Sequence, residues 1–191
     1  MLAAARIFVA GLCLGLLPFA AAAYDVSAPK QTKLGLYMTV AEAAEALKAE
    51  RAKVLFVDVR SRAEVQFVGY TEAVDGVVPF VDMSQFGEWD DKAGRFKLDG
   101  NPVFSQTVEK LLAKKGLTKA DKVILMCRSG DRSAKGVDLL AAAGFTNVYN
   151  QIEGFEGDLS KDGRRTVNGW KNANLAWTYK LDKAKVFEPG N

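Results

Sequence analysis

The sequence predicts an α/β domain in which a central, mostly parallel sheet carries helices on both faces. Two short apolar runs, at 54–59 (broken only by Asp58) and 123–126, read as strands buried on both sides. Between and beyond them apolar residues return at helical spacing, so strand and helix alternate along the chain. A chain of 191 residues, 49% hydrophobic and without an internal repeat, is enough for one domain with its own core.

Residues 1–23 stand apart. Arg6 is their only charge, 7–19 is nearly all apolar, and Ala21-Ala22-Ala23 has the small side chains of a cleavage site. This segment reads as a secretory signal peptide cut near Ala23, leaving Tyr24 first in an exported, periplasmic chain with no membrane attachment. Residues 24–33 read as a flexible lead and 34–38 as a short strand. Thr39-Val40-Ala41-Glu42 is a capping box, followed by Val40, Ala43, Ala44 and Leu47 on one helical face. After the strand at 54–59, residues 62–67 suit a short helix and 77–81 a further strand.

Residues 82–100 are polar and interrupted by Gly87, Gly94 and Gly100, as in a long surface loop. Asn101-Pro102 then marks a helix start, with Phe104, Val108, Leu111 and Leu112 facing inward and Gly116 ending it. The strand at 122–126 leads to Cys127. The helix after it buries Ala134, Val137, Leu140 and Ala141, and Gly144-Phe145 supplies its C-cap. Residues 147–149 read as the last strand. The segment from Gly154 onward lacks periodicity, and Arg164, Arg165, Trp170, Trp177 and Tyr179 suggest either surface packing or a basic, aromatic flap at a substrate mouth. Residues 181–191 read as a tail.

Composition removes several function classes. The net charge is +3 with both signs interspersed, so no nucleic-acid surface is expected. There is no histidine in the chain, which excludes Cys–His and Ser–His–Asp catalysis and histidine-ligated zinc. No metal or cofactor is expected. Of the two cysteines, Cys13 lies within the signal-like segment, so Cys127 is the one thiol expected in the mature chain.

Cys127 opens the segment Cys127-Arg128-Ser129-Gly130-Asp131-Arg132-Ser133, between a buried strand and a helix. Backbone N–H groups converge at such a junction and favour an anionic sulfur with an anion bound beside it. Arg128 and Arg132 add positive charge, Ser129 and Ser133 add hydroxyls, and Gly130 permits a backbone turn closed to larger residues. Arg132 is expected near the anion and Arg128 at the rim. Asp131 is expected to pair with one of these arginines or to sit at the helix start. Asp58 and Arg60 are expected beneath the loop as a supporting ion pair.

These residues resemble the rhodanese (sulfurtransferase) domain family. The resemblance rests on Val57-Asp58-Val59-Arg60 with Glu64, on 123–133, on Gly144-Phe145-Thr146-Asn147-Val148-Tyr149, and on the ending from Gly169-Trp170 to Leu175-Ala176-Trp177. It spans about 33–179. It implies a single rhodanese-like domain moving a sulfane sulfur through a persulfide on Cys127, from a small anionic donor such as thiosulfate to a thiophilic acceptor. The acceptor is a small molecule or a protein partner, and a persulfide carrier or binding module is the alternative. Gly69-Tyr70-Thr71 replaces the family's usual Gly-His-Ile, and polar insertions occupy 82–100 and 156–168. Cysteine phosphatases instead need Cys-x5-Arg, whereas Ser133 occupies the place of that arginine here.

Overall fold

Cys127 directly follows the middle strand of a five-stranded sheet, and the elements around it follow from the sequence pattern. The computed structural model describes residues 24–84 and 87–188, so the signal-like segment 1–23 lies outside the described residues. The strands are β1 (Tyr37–Met38), β2 (Val54–Asp58), β3 (Gly76–Val77), β4 (Val81–Met83), β5 (Trp89–Asp90), β6 (Arg95–Phe96), β7 (Leu98–Gly100), β8 (Lys122–Met126) and β9 (Val148–Gln151). The helices are α1 (Val40–Glu50), α2 (Arg62–Val68), α3 (Phe104–Lys114) and α4 (Asp131–Ala142). The main sheet has the order β1-β9-β8-β2-β3, and every pairing in it is parallel.

Both faces are covered, which is why β2 is buried along its whole length. Phe56, Ile124 and Met126 face α1, α2 and the chain's end, together with Ala43, Leu47, Val65 and Trp170. Leu55, Val57 and Leu125 face α3 and α4 and pack on Phe104, Val108, Val137 and Leu140. The two-residue alternation of strand side chains thus splits one apolar run between two cores.

The helix caps agree with the sequence. Thr39 Oγ1 accepts from Glu42 N–H at 3.2 Å, and Glu42 accepts from Thr39 N–H at 2.7 Å. Ser61 and Glu64 form the same reciprocal cap at α2, a box not singled out in the sequence. Phe145 N–H closes on Leu140 O at 3.1 Å past Gly144, whose φ is 89°. The start of α3 lies later than expected. Asn101 Oδ1 takes the Val103 N–H at 3.1 Å in a tight turn, and helical hydrogen bonding begins at Phe104.

Three other expectations are corrected. The strand expected over 77–81 is two strands, because Pro79 has no N–H for a ladder and the chain leaves the main sheet there. The loop expected over 82–100 is a β arm: β4 pairs antiparallel with β7, and β5 with β6. At its end Trp89 and Phe96 stack edge to face at 5.4 Å, and Asp82 ties its base to Arg62 at 2.5 Å. The flexible lead is instead held down. Ala28–Lys30 forms a 3₁₀ turn, Lys30 Nζ pairs with Asp158 at 2.7 Å, and Lys33 N–H donates to Asp138 at 2.8 Å.

The chain's end also packs. Trp170 lies 5.5 Å from Phe56 and donates its indole N–H to Ala176 O at 3.1 Å. Tyr70 and Thr178 exchange two backbone hydrogen bonds, and Val186 bridges Val77, so part of the expected tail covers the exposed edge of β3.

Beneath the end of β2, Asp58 and Arg60 are fully buried. Arg60 Nε and Nη2 reach the Asp58 carboxylate at 2.7–3.0 Å, Nη2 also donates to Gly69 O at 2.9 Å, and the guanidinium stacks over Phe155 at 3.9 Å. Removing one partner strands the other charge without solvent. Asp58→Ala is expected to cost about 3–5 kcal/mol in urea unfolding. A loss below about 1 kcal/mol would contradict the structural weight assigned to this pair.

Candidate active site

The geometry at Cys127 starts with three backbone contacts from the segment after β9. Phe155 N–H donates to Cys127 O at 2.8 Å, and the N–H groups of Glu156 and Gly157 both reach Arg128 O at 3.0 and 3.1 Å. This contact leaves no room for side chains. A Cβ on Gly154 would lie 2.3 Å from the Arg128 carbonyl and Ser129 N, and one on Gly130 would lie 2.4 Å from Ile152 O. Both glycines have positive φ, 68° and 100°, a second reason for glycine at each. Gly130 is also the residue that caps α4.

The cysteine is 1% exposed. Its sulfur accepts from Gly130 N–H at 3.2 Å and from the Ser133 hydroxyl at 3.3 Å. Among the amides of 128–133, Gly130 is the one placed on the sulfur atom. Cys127 is the free cysteine among the described residues. Ser129 is nearly buried in the loop and Ser133 fully so, whereas Arg128 and Asp131 are exposed.

Arg132 and Asp131 part company. Asp131 lies in the first turn of α4 and makes no ion pair among the described residues, so the expected pairing with Arg128 or Arg132 is not formed. Adjacent residues on a helix point to different sides. Arg132 is taken by Glu64, its two terminal nitrogens meeting the two carboxylate oxygens at 2.6 and 2.5 Å. Burial works against the charge on Arg132, but Glu64 outweighs it, with Cys127 and Asp58 adding to the upward shift. Burial likewise opposes ionisation of Glu64. The hydrogen bond and charge of Arg132, with Ser61, overcome it and bring Glu64 from 4.5 down to about 2.

Three residues outside the expected set join the site. Glu64 was legible as part of the family resemblance; its duty toward Arg132 was not. Asn150, fully buried on β9, accepts from Ser133 at 2.6 Å and donates to Gly130 O at 3.0 Å and Lys30 O at 2.9 Å. It lies one residue past the strand expected at 147–149, in a β9 that ends on two buried amides, Asn150 and Gln151. Lys30 had no signal beyond its charge. Beside the strap, the segment 153–157 that lies over the loop, is a cleft of about 360 Å³ lined by Val68, Glu156, Arg165, Lys171, Asn172 and Trp177. Lys171 Nζ sits 4.1 Å over the Trp177 ring.

The family model of the rhodanese-like domain matches residues 39–161. The chain belongs to the rhodanese-like domain family. The crystal structure of Rv0390 from M. tuberculosis is 29% identical with a TM-score of 0.55, over 75% of this chain and 96% of that one. The 30 kDa polysulfide-sulfur transferase homodimer from Wolinella succinogenes is 21% identical with a TM-score of 0.43, over 75% of this chain and 77% of that one. The uncharacterized protein RP600 of Rickettsia prowazekii is 39% identical over 57 residues, 30% of this chain. The chain spans 42% of the length of the first curated relatives it matches. The rhodanese-like domain thus supplies the frame, and the loop its chemistry.

The Glu64–Arg132 pair gives a pH signature. Because the folded Glu64 carboxyl is depressed from 4.5 to about 2, its contribution is complete above 4.5 and disappears as pH falls through about 2. Wild-type stability should fall by on the order of 3 kcal/mol across that window, and Glu64→Gln should lose that part of the slope. Identical acid titrations of stability for the two proteins would contradict this assignment.

Proposed function

We propose that this rhodanese-like domain is a sulfurtransferase in which Cys127 carries a sulfane sulfur between an anionic donor, thiosulfate or a related compound, and a thiophilic acceptor. The observation that supports this most is the sulfur at the end of β8, held by the Gly130 amide and the Ser133 hydroxyl in a chain without histidine. A thiolate needs no general base to attack sulfur, so the missing histidine is no obstacle. In the first half-reaction Cys127 attacks the outer sulfur of thiosulfate. The new S–S bond forms as the old one breaks, and sulfite departs with its electron pair, leaving Cys127–S–S⁻. In the second, cyanide or a thiolate attacks the terminal sulfur and the Cys127 thiolate is the leaving group.

The near-complete burial of Cys127 suits small donors. Arg132 acts here through its field, since both terminal nitrogens are bound to Glu64. Arg128, exposed on the same loop and without an ion pair among the described residues, orients the sulfonate end of the donor. The cleft with Arg165 and Lys171 adds positive charge beside the strap. We further propose that the chain acts in an exported compartment after loss of residues 1–23, which N-terminal sequencing of the exported form tests: a start near Tyr24 is expected.

Cys127→Ser should reduce thiosulfate-to-cyanide transfer below a tenth of the parent rate with the fold retained by circular dichroism. Residual transfer above that level would overturn the role of Cys127, and stable sulfur gain without turnover would make the domain a carrier instead. Arg128→Ala should lower kcat/KM for thiosulfate roughly ten-fold or more, the loss expected from one charge-assisted hydrogen bond. Unchanged thiosulfate dependence would move donor recognition to Arg132 or to the Arg164–Arg165 pair.

A further inference from the structure

The Ser133 hydroxyl has one proton and three acceptors in reach. Asn150 Oδ1 lies at 2.6 Å, Gly130 O at 3.1 Å and Cys127 Sγ at 3.3 Å. Asn150 cannot turn its amide around, because both Nδ2 hydrogens are engaged, one by Lys30 O at 2.9 Å and one by Gly130 O at 3.0 Å. Its oxygen therefore faces Ser133. Ser133 and Asn150 are both fully buried, so no solvent supplies a replacement donor to whichever acceptor loses.

We propose that Asn150 is a positioning residue that competes with the Cys127 sulfur for the single hydroxyl proton of Ser133. With the thiol protonated, Ser133 donates to Asn150, and the S–H can donate to the Ser133 oxygen. With the sulfur anionic, the hydroxyl turns to it and Asn150 Oδ1 loses its donor. The exchange moves one hydrogen bond and breaks no covalent bond. It rests on the reading of Cys127 as the sulfur carrier, and it adds an order of events to that reading. Once the persulfide forms, negative charge moves to the outer sulfur, and Ser133 returns to Asn150. When an acceptor removes the outer sulfur, charge returns to Cys127 and the hydroxyl follows it. Asn150 thereby limits how strongly Ser133 stabilises the thiolate, both as nucleophile and as leaving group.

The other charged groups around the sulfur are Arg128 and Asp131 on the loop, Arg132 on α4, Glu64 on α2, Asp58 and Arg60 at the end of β2, and the Lys30–Asp158 pair from the lead and the strap. None of them bonds through its side chain to Ser133 or Asn150; the contact from Lys30 is through its backbone carbonyl. Any change that a position 150 substitution makes to this surrounding charge acts with or without the Ser133 hydroxyl, so comparison in the Ser133→Ala background isolates the part that runs through Ser133.

The test is the rate of Cys127 alkylation by iodoacetamide as a function of pH, in which the S–C bond forms and iodide leaves. The full chain is compared with Asn150→Leu, Ser133→Ala and the double variant. Asn150→Leu should move the midpoint of the profile to lower pH, by on the order of half a unit, because Ser133 then loses the nearest competitor for its proton and only Gly130 O still competes with the sulfur. Ser133→Ala should move it upward, and the double variant should match Ser133→Ala. Should Asn150→Leu fail to fold, Asn150→Asp carries the test. Its stronger acceptor should raise the midpoint by more in the presence of Ser133 than in its absence. An unmoved midpoint, or a shift from the position 150 substitution that is the same with Ser133 present and in the Ser133→Ala background, would overturn the proposal. Alkylation needs no sulfur donor, so expected profiles without sulfur transfer would uphold this role and defeat only the sulfurtransferase reading.

Discussion

The site depends on direct contact between two stretches of main chain. The segment 153–157 lies on the carbonyls of Cys127 and Arg128, with Gly154 against the Arg128–Ser129 peptide and no space for a Cβ between them. Peptide groups buried at the end of a sheet must find partners. Here the strap supplies donors to the loop's outward carbonyls, and the loop's own amide at Gly130 is left for the sulfur. Any side chain at Gly154 would separate the two segments and release the turn that sets the sulfur's partners.

Charge is arranged around this contact in two tiers. The deeper is Asp58–Arg60, without solvent exposure, braced by Gly69 O and the face of Phe155. The shallower is Glu64–Arg132, about a fifth exposed on each side chain, which joins α2 to the helix that follows the loop. Each tier is close to neutral as a pair, so an arginine is kept near the sulfur without an uncompensated buried charge. The exposed Arg128 is a different kind of cation, available to a ligand because it forms no ion pair among the described residues.

Much of this was legible from residue order. The apolar runs gave the two central strands, the Thr39–Glu42 box gave the start of α1, and Gly144-Phe145 gave the end of α4. The position of Cys127 between strand and helix marked the candidate reactive atom, and the spacing from Asp58 to Arg60 gave the buried ion pair. What sequence could not provide was the choice among partners. Arg132 could face Asp131, an anion or Glu64, and only the packing of α2 beside α4 decides for Glu64. Residues 24–33 look like free chain because three of the contacts that hold them, to Asp138, Asn150 and Asp158, lie more than a hundred residues away. The arm at 82–100 was obscured because its ladders are two or three residues long, below any readable periodicity. Asn150 is polar within a strand, and its use emerges only when β9 is set beside the loop.

The central proposal, that one sulfur is accepted and then passed on by Cys127, is tested most directly by titrating the protein with thiosulfate in the absence of an acceptor. One sulfite should be released per sulfur accepted, saturating at one per chain, and the Cys127 peptide should gain one sulfur that cyanide then removes as thiocyanate. Sulfite release without that adduct, or an adduct on any other residue, would contradict the account.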